Sequence, residues 1–309
     1  MLKQKILNKE NGILLYGLTP PRQTHTKEQM DIIAQKHIQR INTIDIDALV
    51  LYDIQDESDR TSQKRTFPFV GTLDPYVYKN QYLSELNIPS IVYRAVGKYD
   101  KDDFSTWLED TKSQNNYSVF VGAASKDQNI KLSVKEAYAL KEEINQDLIL
   151  GAITIPERHT IKKDEHIRVF NKIDQGCQYF ITQCVYNLEA AKIFLSDYAR
   201  YSKENNQEMV PIIITLTPCG SSKTLEFMEW LGISIPNYLK EDLLESKDIL
   251  QESLDICLNI FAELNKFALK RGIPLGCNVE SVAIRKEEID ASILLLKEVD
   301  LIMRKNITK

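Results

Sequence analysis

Apolar runs about one strand long recur eight times along the chain, with helical patterns between them, at residues 13–18, 48–52, 90–96, 118–122, 148–155, 179–184, 211–216 and 275–279. Most are apolar at consecutive rather than alternate positions, which marks strands buried on both faces and therefore a parallel sheet. Eight strand–helix repeats in 309 residues suit a closed (β/α)8 TIM barrel better than an open doubly wound sheet. The alternation runs from end to end without a linker or low-complexity break, so one α/β domain over residues 1–309 is expected.

The intervening segments carry single apolar stripes. Leu188, Ala191, Phe194 and Tyr198 fall on one helical face, as do Leu250, Leu254, Cys257, Phe261, Leu264 and Ala268. Ser133 and Glu136 have capping-box spacing, which starts a helix. A helical insertion at 226–271 separates the seventh and eighth strands, and a helix at 286–304 closes the barrel.

Composition removes several functions. A net charge of −5 offers no clustered basic surface for nucleic acid. No stretch approaches the roughly 18 apolar residues of a membrane span, and the first residues are too polar for a signal peptide, so cytoplasmic residence is expected. Five cysteines, odd in number and without a C-x-x-C pair, read as reduced packed thiols.

In barrels of this kind chemistry gathers at the C-terminal strand ends. Polar segments lie there: Leu18-Thr19-Pro20-Pro21-Arg22, Asp56-Glu57-Ser58-Asp59-Arg60-Thr61, Pro156-Glu157-Arg158-His159, Ile181-Thr182-Gln183 and Asn278-Val279-Glu280-Ser281. Alternation aims Gln183 into the barrel mouth, where an amide suits a heterocycle edge; the plainer reading is a core glutamine satisfied by backbone. By the same parity Asn278 and Glu280 share a face. Glu280 is a candidate general acid, or a salt-bridged residue with Arg285 as its partner.

Arg168 and Lys172, four apart on a helix, project from one side and are candidates for holding an anion, although a solvated face is the default. Pro218-Cys219-Gly220-Ser221-Ser222-Lys223-Thr224 leads from strand seven to a helix, where free amides suit an anion, but it lacks Walker spacing. Cys184, Cys219 and Cys277 near three consecutive strand ends raise a zinc-thiolate site. Parity opposes it, because Cys184 faces away from Gln183, and Cys277 away from Asn278 and Glu280. No metal is expected.

Together these segments resemble the methylenetetrahydrofolate reductase family across nearly the whole chain. Leu18-Thr19-Pro20-Pro21-Arg22 is similar to its Phe-Phe-Pro-Pro-Arg, Asp59-Arg60-Thr61 to its Asp-Arg-Thr, and Glu157 with His159 to its Pro-Glu-x-His. The most specific block runs from Lys172-Ile173-Asp174-Gln175-Gly176 to Ile181-Thr182-Gln183. The resemblance implies reduction of 5,10-methylenetetrahydrofolate to 5-methyltetrahydrofolate by NAD(P)H through bound FAD, a step of one-carbon metabolism serving methionine biosynthesis. It implies folate contacts at Gln183 and Arg285, and cofactor contacts at His159, Lys172, Asp59, Arg60 and Thr61; strand parity adds Asn278 on the substrate side and helical spacing adds Arg168 on the cofactor side.

The departures cluster on the flavin side. Tyr93 replaces the family's His, Ile155 its Tyr and Asn171 its frequent Arg, while its Gly-Asp pair after strand four reads Gly122-Ala123. Gly17 stands where the family has its catalytic Glu. FAD is therefore left open, with direct hydride transfer from NAD(P)H as the flavin-free form of the reaction. The acid must come from elsewhere: Glu280 first, with Asp53 and Glu157 as alternatives. Methyl transfer from a folate at a thiolate or zinc site, and folate binding without catalysis, are the competing expectations. Self-association and the choice between NADH and NADPH are left open.

Overall fold

The computed structural model describes residues 2–57, 61–62, 64–112, 116–123 and 128–307. In chain order its elements are α1 (Leu2–Leu7), β1 (Leu14–Leu18), α2 (Lys27–Ile41), β2 (Ala48–Leu51), α3 (Pro75–Tyr82), β3 (Ser90–Ala95), α4 (Lys101–Asp110), β4 (Tyr117–Val121), α5 (Val134–Ile144) and β5 (Ile149–Thr154). They continue with α6 (Pro156–Lys162), α7 (Glu165–Ile173), β6 (Cys177–Cys184), α8 (Leu188–Asn205), β7 (Ile212–Leu216), α9 (Ser222–Trp230), α10 (Asn237–Glu245), α11 (Ile249–Leu269), β8 (Leu275–Glu280) and α12 (Lys286–Ile307). The strands close in sequence order, β1 through β8, as a (β/α)8 barrel. Neighbouring strands run parallel, as in β3–β4 and β7–β8.

Each expected strand is present within a residue or two of its sequence bounds. The reason is burial: β2, β3 and β7 are buried at every position, which favours mostly apolar runs, with Arg94 in β3 admitted by its pairing with Asp74. Helix starts are set locally. Thr26 with Gln29 and Ser133 with Glu136 form reciprocal capping boxes, and Asp74 accepts the amides of Tyr76 and Val77 ahead of Pro75. The segment between β7 and β8 holds α9, α10 and α11.

The chain packs as two compact units, Gly17–Ala152 and Met1–Tyr16 with Ile153–Lys309, and the divisions fall within β1 and β5. The first contains α2–α5 with β2–β4. An aromatic cluster fills its helical layer, where Phe104, Trp107 and Tyr138 surround Phe120. The second contains α6–α12 with β6–β8, and buries Phe170, Phe194 and Tyr198 against one another. Among the described residues no helix is long and apolar enough to cross a membrane.

Candidate functional site

In the unit Gly17–Ala152 the groups at the strand ends are already committed to one another. Asp53 is 1% exposed at its side chain and forms an ion pair with Lys98. Its other oxygen accepts from the Ala95 amide and lies 2.8 Å from the Tyr99 hydroxyl. Lys98, the Ala95 amide and the Tyr99 hydroxyl thus occupy both oxygens, so the expectation of Asp53 as the acid is corrected: its carboxyl is committed to structural contacts. The sequence hid this because Lys98 lies 45 residues downstream.

Beside it, Arg94 pairs with Asp74 and rests over the Trp107 ring at 4.5 Å. Burial pushes Asp74 upward, but the Arg94 charge and hydrogen bonds from Val77 and Tyr99 outweigh it and hold the carboxyl below its ordinary value.

Gly17 has a neighbour that explains its lack of a side chain. A Cβ there would meet the Tyr52 hydroxyl at 2.6 Å and the Tyr52 ring at 2.8 Å. The Tyr52 ring meets Tyr93 edge-on at 4.9 Å. A phenol therefore fills the volume that a larger residue at 17 would need. At the end of β4, Gln55 donates to the Gly122 carbonyl at 3.1 Å and accepts from Gln128 at the same distance. Neutral amides thus occupy the Gly122-Ala123 corner. Asp59 and Arg60 lie outside the described residues, and Thr61 is partly buried.

In the unit containing Ile153–Lys309 the carboxyl groups are less completely matched. Pro156 begins α6, and Glu157 follows it in the first turn. Both Glu157 carboxyl oxygens are buried without a hydrogen-bond partner. Burial pushes its carboxyl up to about 7; the residue's own backbone amide opposes the rise, and the nearby Glu165 charge adds to it. Glu165 is held differently: one oxygen accepts from the Thr154 hydroxyl at 3.1 Å and the Ile155 amide at 2.9 Å, while Arg158 stands 3.6 Å from the other.

Glu280, at the end of β8, accepts a hydrogen bond from the Cys184 thiol at 3.1 Å. Strict alternation forbids this contact, and the expectation that Cys184 faces away from the polar groups is corrected. The pairing of β6 with β7 shifts register between Ile181 and Cys184, and such an irregularity re-aims the side chains that follow it. Burial raises the Cys184 thiol, with Glu280 and, more weakly, Glu157 adding to the effect. Glu157, Cys184 and Glu280 are thus electrostatic neighbours.

Gln183 is partly exposed, and its amide nitrogen donates to the Leu231 carbonyl at 2.9 Å. Asn278 is fully buried and donates to Thr215 at 3.3 Å, while the Thr215 amide donates to Thr182 at 2.9 Å. These three residues form a polar layer across β6, β7 and β8, so Asn278 is a fixed member of that layer rather than a group at the strand-end surface.

Several expected site residues do not meet. Arg285 lies 4.0 Å from both Glu287 and Glu288 instead of pairing with Glu280, because the chain turns into α12 immediately after it. Arg168 bonds Asp164 on the surface at 3.3 Å, whereas the Lys172 stem runs back to the Ile153 carbonyl at 2.7 Å. Burial lowers the Lys172 ammonium. Helical spacing put the two on one side but could not tell that one would turn inward; no shared anion grip results.

His159 has no exposed surface and bonds Asp197 on α8 at 2.8 Å, so it packs within the helices and is not presented to a cofactor. Three amides of 218–224 are also taken: Cys219 donates to Ser253, Gly220 to Glu288 and Thr224 to Ser221. The protein supplies its own carboxyl group there, the 1%-exposed Glu288. Cys184, Cys219 and Cys277 donate to three different acceptors, and burial raises each thiol, so they do not assemble as thiolate ligands.

Sequence reading missed His166 and Asp197, which adjoin His159, and the Tyr52 hydroxyl over Gly17. A second histidine seven residues beyond His159 was the one available signal.

These positions can now be set beside known proteins. A solved structure of an uncharacterized protein from Clostridium thermocellum, which binds two copies of 5-methyl-5,6,7,8-tetrahydrofolic acid, is 53% identical with a TM-score of 0.89, covering 98% of this chain and 100% of its own. The EDTA monooxygenase EmoA from Chelativorans sp. BNC1 aligns over 96% of this chain and 94% of its own at 10% identity and a TM-score of 0.51, a likeness of fold alone. No curated protein matches the sequence. The family model described as methylenetetrahydrofolate reductase matches residues 124–295, more than half of the 309. The chain belongs to the methylenetetrahydrofolate reductase family.

Proposed function

We propose that residues 1–309 act as one folate-handling unit that reduces 5,10-methylenetetrahydrofolate to 5-methyltetrahydrofolate with NAD(P)H, and that Glu157 supplies the proton. The observation that carries this reading is the Glu157 carboxyl, buried, without a hydrogen-bond partner and pushed up to about 7. A carboxyl so placed is about half protonated at neutral pH, which suits a general acid. The 53%-identical relative binds the methyl form of the same folate, the product of this reaction.

In the reaction the bond from the bridging carbon to one folate nitrogen opens, that nitrogen takes the Glu157 proton, and hydride from the reduced nicotinamide reaches the iminium carbon. The proton is then restored from water. Gln183, a partly exposed residue of β6 next to Cys184, is the amide we assign to a pterin edge. Glu280 is the second carboxyl of the cluster; its role is to accept the Cys184 thiol hydrogen bond and fix the end of β8.

The residues present do not fit FAD at the positions the family resemblance assigns to it. His159 is enclosed, Lys172 is spent on a backbone carbonyl, and the carboxylate position after β4 is Ala123, beside a corner occupied by Gln55. No step is therefore routed through a flavin.

The test is NADH or NADPH oxidation that depends on added methylenetetrahydrofolate, followed by the same assay on Glu157→Gln. Turnover that survives unchanged in Glu157→Gln removes the acid assignment. Folate binding without turnover with either nicotinamide replaces the reductase with a folate-binding barrel. That second reading draws on Gly17, whose place is taken by the Tyr52 phenol. Titration with 5-methyltetrahydrofolate measures stoichiometry, for comparison with the two copies that the relative binds.

A further inference from the structure

Three successive helices, α6 among them, bring two histidines and an aspartate together. His159 comes from α6, His166 from α7 and Asp197 from α8. One nitrogen of each imidazole and one Asp197 oxygen all lie within 4.8 Å of one another. His159 is 0% and His166 8% exposed, and the Asp197 side chain 20%. The rings meet edge-on at 5.0 Å, walled by Phe194 against His159 and Tyr201 against His166.

Internal hydrogen bonding leaves this cluster incomplete. The His159 Nε2 bonds Asp197, but the Nδ1 atoms of both histidines are buried with no partner. Leaving two ring nitrogens desolvated in an apolar setting is costly unless something binds them or their neighbours. The aspartate is also oriented from outside: Arg200 holds its Oδ1 at 2.9 Å, turning Oδ2 inward toward His159. An outer residue that fixes one carboxylate oxygen while the other points at an imidazole is the arrangement that supports a metal ligand.

We propose that His159, His166 and Asp197 form a site for one divalent transition-metal ion of the Zn2+ class, which ties α6, α7 and α8 together. The donor set is two imidazole nitrogens and one carboxylate oxygen. That set suits Zn2+ and its neighbours and disfavours Ca2+ and Mg2+, which take oxygen ligands. Ligating imidazoles must be neutral, and burial lowers His166, holding it in that form. Donors bound at about 2.0–2.2 Å from one ion sit roughly 3–3.5 Å apart, so small side-chain movements close the site. The partly exposed Asp197 edge admits a water as fourth ligand. His159 is wholly enclosed, so the site is structural and separate from the reaction.

The experiment uses the full chain, dialysed against a chelator and titrated calorimetrically with ZnCl2, with CoCl2 as an optical probe. We expect one equivalent of Zn2+ bound with micromolar or tighter affinity and a raised Tm. The Co2+ complex should show d–d bands of low coordination number and no thiolate charge-transfer band, which separates this site from the five cysteines. Asp197→Asn and His166→Gln should each weaken Zn2+ at least about 100-fold, and Arg200→Ala about 10-fold. If His166→Gln fails to fold, Asp197→Asn alone decides, because it keeps volume and hydrogen bonding. Wild-type protein that takes up no Zn2+, binding unchanged in Asp197→Asn, or a thiolate Co2+ spectrum overturns the proposal.

Discussion

The two units of this chain treat buried carboxylates in opposite ways. In Gly17–Ala152, Asp53 and Asp74 each meet a cation directly, and the Tyr99 hydroxyl lies within 3.0 Å of both. In the unit containing Ile153–Lys309, Glu165 and Glu288 take backbone amides with one oxygen while the other has no hydrogen bond, and Glu157 has none at either oxygen. A neighbouring cation and hydrogen bonds hold a carboxyl down, and burial without them pushes it up. Asp74 is accordingly lowered and Glu157 raised.

The sharpest way to break this contrast is Glu157→Gln. Loss of a general acid should lower kcat by about 100- to 10,000-fold, with folate binding kept, as read by nicotinamide oxidation and titration. Its pH behaviour has a definite sign. The Glu157 carboxyl is raised from 4.5 to about 7, so between those values the folded state holds a proton that the unfolded chain has released. Stability from this group is therefore lost as pH rises through that window, by up to about 3 kcal/mol. Glu157→Gln should be more stable than wild type above pH 7 and equal to it near pH 4.5 in denaturant titrations. Rate should fall in wild type as pH rises through about 7. A stability difference independent of pH would mean that Glu157 is not protonated in the fold.

The matched unit should respond in the reverse sense. Asp53→Ala leaves Lys98 and the Ala95 amide without their acceptor and should cost roughly 3 kcal/mol, the low end for a broken buried pair because Lys98 is 36% exposed. The loss should persist across neutral pH. Next in size is Gly17→Glu. Restoring the family's residue should fail to restore its chemistry, because Tyr52 already fills that space and overpacking costs about 1–3 kcal/mol. If the double variant with Tyr52→Ala recovers the stability lost in Gly17→Glu, the two positions are alternative occupants of one volume.

Much of the fold was readable because burial on both strand faces leaves a continuous apolar run, and because Ser133 with Glu136 has one local meaning. The site was readable only where it depends on local pattern. Gln183 lies at the end of β6 as its spacing required, but the register shift after Ile181 leaves no mark in the residue types, and it is this shift that joins Cys184 to Glu280. Asp53 could not be judged without Lys98, nor Arg285 without the turn into α12. The His159–His166–Asp197 group needed three helices in place. Pairings between distant segments decide which carboxyl keeps a proton, and periodicity does not encode them.

The smallest expected effect tests that last point within one helix. Arg168 and Lys172 are related by one turn, yet Arg168 bonds Asp164 with 44% of its side chain exposed, while Lys172 reaches the Ile153 carbonyl and is lowered by burial. Arg168→Ala should change stability by no more than about 0.5 kcal/mol, and less in high salt, since an exposed ion pair is weak and screened. Lys172→Met should cost more, because it removes the donor to a carbonyl at the end of β5, next to Thr154 and the segment that carries Glu157. It should also shift the pH dependence of turnover, whereas Arg168→Ala should not. Equal effects from the two substitutions would show that the helix face, and not the inward turn of one side chain, governs this corner of the protein.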